Sequence, residues 1–214
     1  MTIAELYKKF GIPPNLQEHM QRVYGVVSFI EKHWTGQQNI DWNLTKKMAL
    51  LHDVGNIVKF DFVKHPEFLG KEEANTDYWK DIQKQMIDKY GSDDNEATRK
   101  MLTEIGLDPE VVDMIFNKRF LNSIETANSK HSALKILYYA DLRVLPLGVG
   151  SLEERIADIR KRYNPEYTSR PNFEELVNAC YEIEKEVQQN LDVSVDEITD
   201  EGAGLQPIET LSYE

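Results

Sequence analysis

One cysteine, Cys180, is the only thiol in the 214 residues, so the chain can form neither an intrachain disulfide nor a cysteine-paired metal site. Its setting in FEELVNACYEIEKEV, a helical pattern, marks it as a buried structural thiol, and a lone thiol fits a reducing cytoplasm. Cations are also short: 25 Lys and Arg stand against 37 Asp and Glu, a formal charge of −12. An acidic surface repels phosphate backbones and anionic headgroups, which disfavours a binder of nucleic-acid polymers or of membrane surfaces. A local pocket for one phosphorylated small molecule remains compatible with that charge. No stretch reaches the roughly 18 uncharged apolar residues that a spanning helix needs. The opening MTIAELYKKFGIPPN shows no long apolar run and no small-residue cleavage site, so the expectation is a cytoplasmic protein without a leader. Strand signals are sparse, and repeats and low-complexity tracts are missing.

What is present is a core and helical periodicity. Hydrophobic residues make up 41% of the chain, enough to bury a substantial interior. After the breaker Ile12-Pro13-Pro14-Asn15, apolar residues Leu16, Met20, Val23, Val27, Ile30 and Trp34 recur at three- and four-residue steps and predict a helix ending near Gly36. Further helices are predicted from Leu44 to about Val54, over 76–90, from a cap at Ser92 or Asp93 to Gly106, over 109–121 behind Asp108-Pro109, from His131 to Leu145, over 151–163 behind the Ser151–Glu154 capping box, and from Pro171 to about Leu191. Residues 56–70 and 122–130 read as loops. The expected architecture is all-α: a single-domain bundle of about eight helices over 1–191, with an acidic, weakly packed or extended tail over 192–214.

Four side chains are polar where this periodicity calls for apolar ones. His19 lies three residues after Leu16 and four before Val23; His52 follows Met48 by four, with Asp53 next to it; Asp141 follows Leu137 by four inside LKILYYADLRV. A carboxylate on a buried stripe is costly unless a cation or hydrogen bonds compensate it. Two carboxylates and two imidazoles on three helices point to one shared divalent ion with nitrogen and oxygen ligands.

The segments LQEHMQRV, LLHDVGN and YYADLRV, in that order, resemble the HD superfamily of metal-dependent phosphohydrolases, over roughly residues 13–163. The resemblance implies a helical HD-type core in which His19, His52, Asp53 and Asp141 hold the metal (Mn, Mg, Co, Fe, Ni or Zn). It also implies hydrolysis of a phosphoester, such as a nucleotide or another phosphorylated small molecule, by a metal-activated water. Asp53 and Asn56, with Lys59 and His65, are then candidates for catalysis, and Arg22 and Arg143 for holding phosphate. Homodimerisation stays open.

One position departs from the family pattern. Many members carry an acidic or basic side chain three residues after the HD aspartate, where this chain has Asn56. An amide orients water or bonds a phosphate oxygen but trades no proton at neutral pH, which shifts proton transfer toward Asp61, His65 or Glu72. Two rival readings follow: a non-catalytic HD module that binds a nucleotide or a partner protein, and a di-iron HD oxygenase. The second would need a richer histidine set than the five present, of which His65 and His131 are the plausible extras.

Overall fold

The computed structural model describes residues 1–146, 148–162, 168–205 and 211. The described residues are mostly helical, with eleven α-helices and one two-stranded ribbon, and no described helix is long and apolar enough to cross a membrane. The described residues fall into two compact units, one of residues 1–21, 50–116 and 211 and the other of 22–49, 117–146, 148–162 and 168–205.

The first unit opens with α1 (Ile3–Lys9), held by a capping box in which Thr2 and Glu5 bond each other's backbone N–H. Its Ile3, Leu6 and Tyr7 are buried, and the Tyr7 hydroxyl donates to the Leu50 carbonyl at 2.8 Å. Each such buried apolar side chain contributes about 1.5–3 kcal/mol of transfer free energy. Helix α2 (Pro14–Lys32) starts on proline, which has no N–H to orphan. Only the start of α2, to residue 21, and the last two residues of α3 (Trp42–Leu51), which runs into the His52-Asp53 pair, belong to this unit. The segment expected as a loop over 56–70 instead holds 3-10 helices at Asn56–Lys59 and Pro66–Asn75. Next come α4 (Thr76–Tyr90), closed by Gly91 at φ 96°, then α5 (Asp94–Glu104), capped by Asp93, and α6 (Pro109–Asn117).

In the second unit, α7 (Ser123–Asn128) and α8 (Ser132–Leu142) lead to a ribbon of β1 (Val144–Leu145) and β2 (Gly148–Val149), paired antiparallel with Val144 opposite Val149. Helix α9 (Leu152–Arg162) begins with the expected Ser151–Glu154 capping box. Helix α10 (Phe173–Gln189) packs on α7 and α8. Between these helices Cys180 is fully buried in a polar cluster: the Ser123 and Tyr138 hydroxyls lie 2.6 Å apart, and Tyr138 Oη is 3.4 Å from Cys180 Sγ. Burial pushes the thiol pKa up, as an inert structural cysteine requires.

The weakly packed tail does not hold over 192–205. A 3-10 turn at Val195–Glu197 and helix α11 (Asp200–Ala203) occupy it, with Ile198 and Ala203 buried. Gly25 on α2 has no room for a side chain, because a Cβ there would stand 2.3 Å from the Ala203 carbonyl oxygen. The remainder of the expected tail, 206–210 and 212–214, lies outside the described residues.

Candidate metal centre

The first unit brings three of the sequence-predicted ligands together. The Nε2 atoms of His19, on α2, and His52, just after α3, are 3.2 Å apart, and each is 3.7 Å from Asp53 Oδ2. His52 is 2% exposed, while His19 and Asp53 are partly buried. The two imidazoles meet edge to face, with ring centroids 5.3 Å apart.

These distances fit a shared ion. Two ligand atoms bound at about 2.1 Å around one cation stand roughly 3.0 to 3.4 Å apart for octahedral to tetrahedral angles, and at most about 4.2 Å apart. The 3.2 Å and 3.7 Å separations fall inside that range. The chemistry fits as well, since neutral imidazole nitrogen and carboxylate oxygen are both ligand-type atoms, although without an ion the two histidines hydrogen-bond each other. His19, His52 and Asp53 therefore form a group that could hold a metal ion.

Local structure explains how the group is held. Asn56 is 8% exposed, and its Nδ2 donates to Asp53 Oδ2 at 2.5 Å, fixing the oxygen that faces both histidines. Gly55 lets the turn approach α5: its N–H donates to Thr98 Oγ1 at 3.0 Å, and a Cβ there would sit 2.4 Å from the Thr98 backbone nitrogen. Gln83 on α4 anchors the 3-10 turn that follows, donating to the carbonyls of Ile57 and Phe60 at 2.7 Å each.

Asp141, the fourth expected ligand, lies near the end of α8 in the second unit, with Lys118 Nζ 2.9 Å from its Oδ2. Lys118 falls inside the helix predicted over 109–121, but the helix ends at Asn117.

The remaining candidates have other partners. Arg143 is 3% exposed and its guanidinium is consumed by protein acceptors: Nε donates to the Gly150 carbonyl, Nη1 to the Tyr139 hydroxyl at 2.7 Å and the Val195 carbonyl at 3.0 Å, and Nη2 to the Ile198 carbonyl at 3.0 Å. These contacts tie α8 to the segment after β2 and to residues 195–198, a structural role beside the phosphate-holding one expected from its place two residues after Asp141. Arg22 faces Asp200 at 3.5 Å, and Lys59 pairs with Asp94 at 2.6 Å on the surface. His65 is exposed at the start of the second 3-10 helix and stands outside the ligand group. Asp61 caps the turn before it: the backbone N–H and ammonium of Lys64 hold its carboxyl below the ordinary carboxylate range, which ill suits a proton carrier near neutrality. Glu72 accepts from the Asn75 amide at 2.7 Å. The aromatic residues Trp79, Tyr90, Tyr138 and Tyr139 are buried, as core residues.

No family model matches the chain, and neither a curated protein nor a solved structure shows significant similarity to it.

Proposed function

We propose that the chain is a metal-dependent phosphohydrolase of the HD type, acting on a nucleotide or another small phosphoester, with His19, His52 and Asp53 holding the ion. The observation that carries this reading is the 3.2 Å approach of the two histidine Nε2 atoms beside the Asp53 carboxylate, ligand-type atoms that one cation can take together. The mixed nitrogen and oxygen donors suit Mn²⁺, Fe²⁺, Co²⁺, Ni²⁺ or Zn²⁺, with Mg²⁺ the least matched to imidazole. When bound, such an ion supplies an acidified water and offsets negative charge on phosphorus. The chain's own part is positioning. Asp53 lends negative charge to the site, and Asn56 fixes the Asp53 carboxylate as a hydrogen-bond donor.

That commitment of the Asn56 amide gives the departure from the family pattern a physical role. The side chain orients the Asp53 carboxylate and carries no proton. The test is phosphate release from a broad panel of nucleotides and phosphomonoesters with Mn²⁺, Mg²⁺, Co²⁺ or Fe²⁺, for the wild type and Asp53→Asn. The expected result is metal-dependent release by the wild type and none by Asp53→Asn, with helical circular dichroism unchanged. Asn56→Ala is expected to weaken metal binding by about 10- to 100-fold, the usual cost of a lost supporting hydrogen bond. A wild type that binds metal yet releases no phosphate from any compound would replace hydrolysis with the binding-module reading.

A further inference from the structure

We propose that Thr98 is a positioning residue of the metal centre, fixing from α5 the turn that carries Asp53 and Asn56; this rests on the reading of His19, His52 and Asp53 as ligands. Thr98 is buried, and its hydroxyl is used twice. It donates to the Asp94 carbonyl, one helical turn back, at 2.8 Å and accepts the Gly55 N–H at 3.0 Å. The first bond commits the only hydrogen of the hydroxyl within α5, which leaves a lone pair for the neighbouring turn. Gly55 is buried as well, so the second bond satisfies a backbone donor that water does not reach, two residues after Asp53.

From Gly55 the restraint reaches the ligand through one further residue. Asn56 donates its backbone N–H to the Asp53 carbonyl at 2.9 Å and its side-chain amide to Asp53 Oδ2 at 2.5 Å. Asn56 therefore grips Asp53 by both its backbone and its carboxylate, and Thr98 holds the residue next to that grip. Contact between α5 and the turn is close: a Cβ on Gly55 would stand 2.4 Å from the Thr98 nitrogen and 2.6 Å from its Oγ1. The turn's other tethers act further along the chain, Gln83 on the Ile57 and Phe60 carbonyls and Asp94 on Lys59. A metal site tolerates ligand displacements of only about 0.2 Å, so the bond that sets the turn also sets how well Asp53 meets an ion. Groups that hold a ligand in place commonly contribute about 10- to 100-fold in metal affinity.

Two measurements test the proposal: calorimetric titration of Mn²⁺, and the visible absorption of the Co²⁺-loaded protein, whose bands report ligand geometry. They are made on the wild type, Thr98→Val, Thr98→Ser and Ile115→Val. Thr98→Val keeps the volume and removes both hydrogen bonds. It is expected to bind Mn²⁺ about ten-fold more weakly, the low end of the range because Thr98 acts through Asn56, and to alter the Co²⁺ bands. Thr98→Ser restores the hydroxyl and is expected to recover both readouts. Ile115→Val trims a buried side chain of α6 in the same unit and is expected to lower stability in urea without moving either readout. A Thr98→Val that loses stability yet keeps wild-type Mn²⁺ affinity and Co²⁺ bands overturns the role of Thr98 and leaves the metal centre standing. Equal losses of Mn²⁺ affinity in Thr98→Val and Ile115→Val, or no recovery in Thr98→Ser, also overturn it. A wild type that takes up no Mn²⁺ overturns the metal centre and Thr98 with it. Should Thr98→Val fail to fold, Thr98→Cys, close to serine in shape but a weak acceptor, is set against Thr98→Ser in the same measurements with the same deciding outcomes.

Discussion

In the first unit, His19, His52 and Asp53 bring ligand-type atoms within 3.2 to 3.7 Å of one another. In the second unit, the buried Arg143 guanidinium meets three carbonyls and a hydroxyl, while Ser123, Tyr138 and Cys180 bond among themselves. Both regions bury polarity, but in opposite ways. The second matches donors to acceptors and closes on itself, which gives rigidity and leaves nothing for a ligand. The first gathers two imidazole nitrogens and a carboxylate oxygen, ligand-type atoms of which a cation can take several at once. Burial of polar residues alone is therefore no sign of a site; the direction and kind of the atoms decide.

The comparison breaks most easily at Arg143. Arg143→Met should cost about 3–5 kcal/mol in urea denaturation, because it removes donors to three carbonyls and a hydroxyl at once. Arg143→Lys should recover little, since an ammonium cannot reproduce the planar fork. A loss below about 1 kcal/mol would mean that these contacts carry little of the stability.

A smaller effect is expected at the turn that carries the ligands. Gly55→Ala would place a Cβ 2.4 Å from the Thr98 nitrogen and 2.6 Å from the Asp94 carbonyl oxygen, both backbone atoms that cannot swing aside. The expected destabilisation is about 1–3 kcal/mol, with a matching loss of metal affinity because Asp53 and Asn56 move with the turn. A stable Gly55→Ala with unaltered metal binding would show that the approach to α5 does not set the site.

The smallest effect belongs to a surface cluster remote in kind from both regions. Hydrogen bonds from Lys89 first, then Tyr90 and Lys9, bring the Glu104 carboxyl down to about 2 from an ordinary 4.5. The folded group titrates below the unfolded one, so its contribution is complete above about pH 4.5 and is lost as pH falls through about 2. The group is largely solvent-screened, so Glu104→Gln should cost less than about 1 kcal/mol at pH 7, and the difference from the wild type should vanish toward pH 2. A difference that grows on acidification would reverse the assigned sign.

Much of the helical architecture was legible in the sequence because long amphipathic stretches announce themselves. Helices α2 and α10, of 19 and 17 residues, repeat their apolar stripe often enough to be read. The short elements were harder. Helices α1, α7 and α11 span 7, 6 and 4 residues, too few for a period, although Thr2-Ile3-Ala4-Glu5 is a capping-box signature that would have located α1. The tail hid its order for a related reason: Arg143 bonds residues 52 and 55 positions further along, a separation no local pattern encodes. At the candidate centre, His19, His52 and Asp53 could be found because each interrupts an apolar face. Thr98 was not legible, because only its contact with the Gly55 N–H, 43 residues away in the chain, gives it a role.

Calorimetric titration of Mn²⁺ into chelator-treated protein tests the metal centre most directly. The predicted result is one saturable site per chain, weakened by at least about 100-fold in His52→Ala and in Asp53→Asn while the helical circular dichroism is retained. With free Mn²⁺ at about 100 times its Kd, the same binding should raise the wild type's unfolding free energy by about 2.7 kcal/mol, an increment that chelation removes. No saturable uptake by the wild type, or equal uptake by the wild type and both variants, would contradict a metal centre built on these residues.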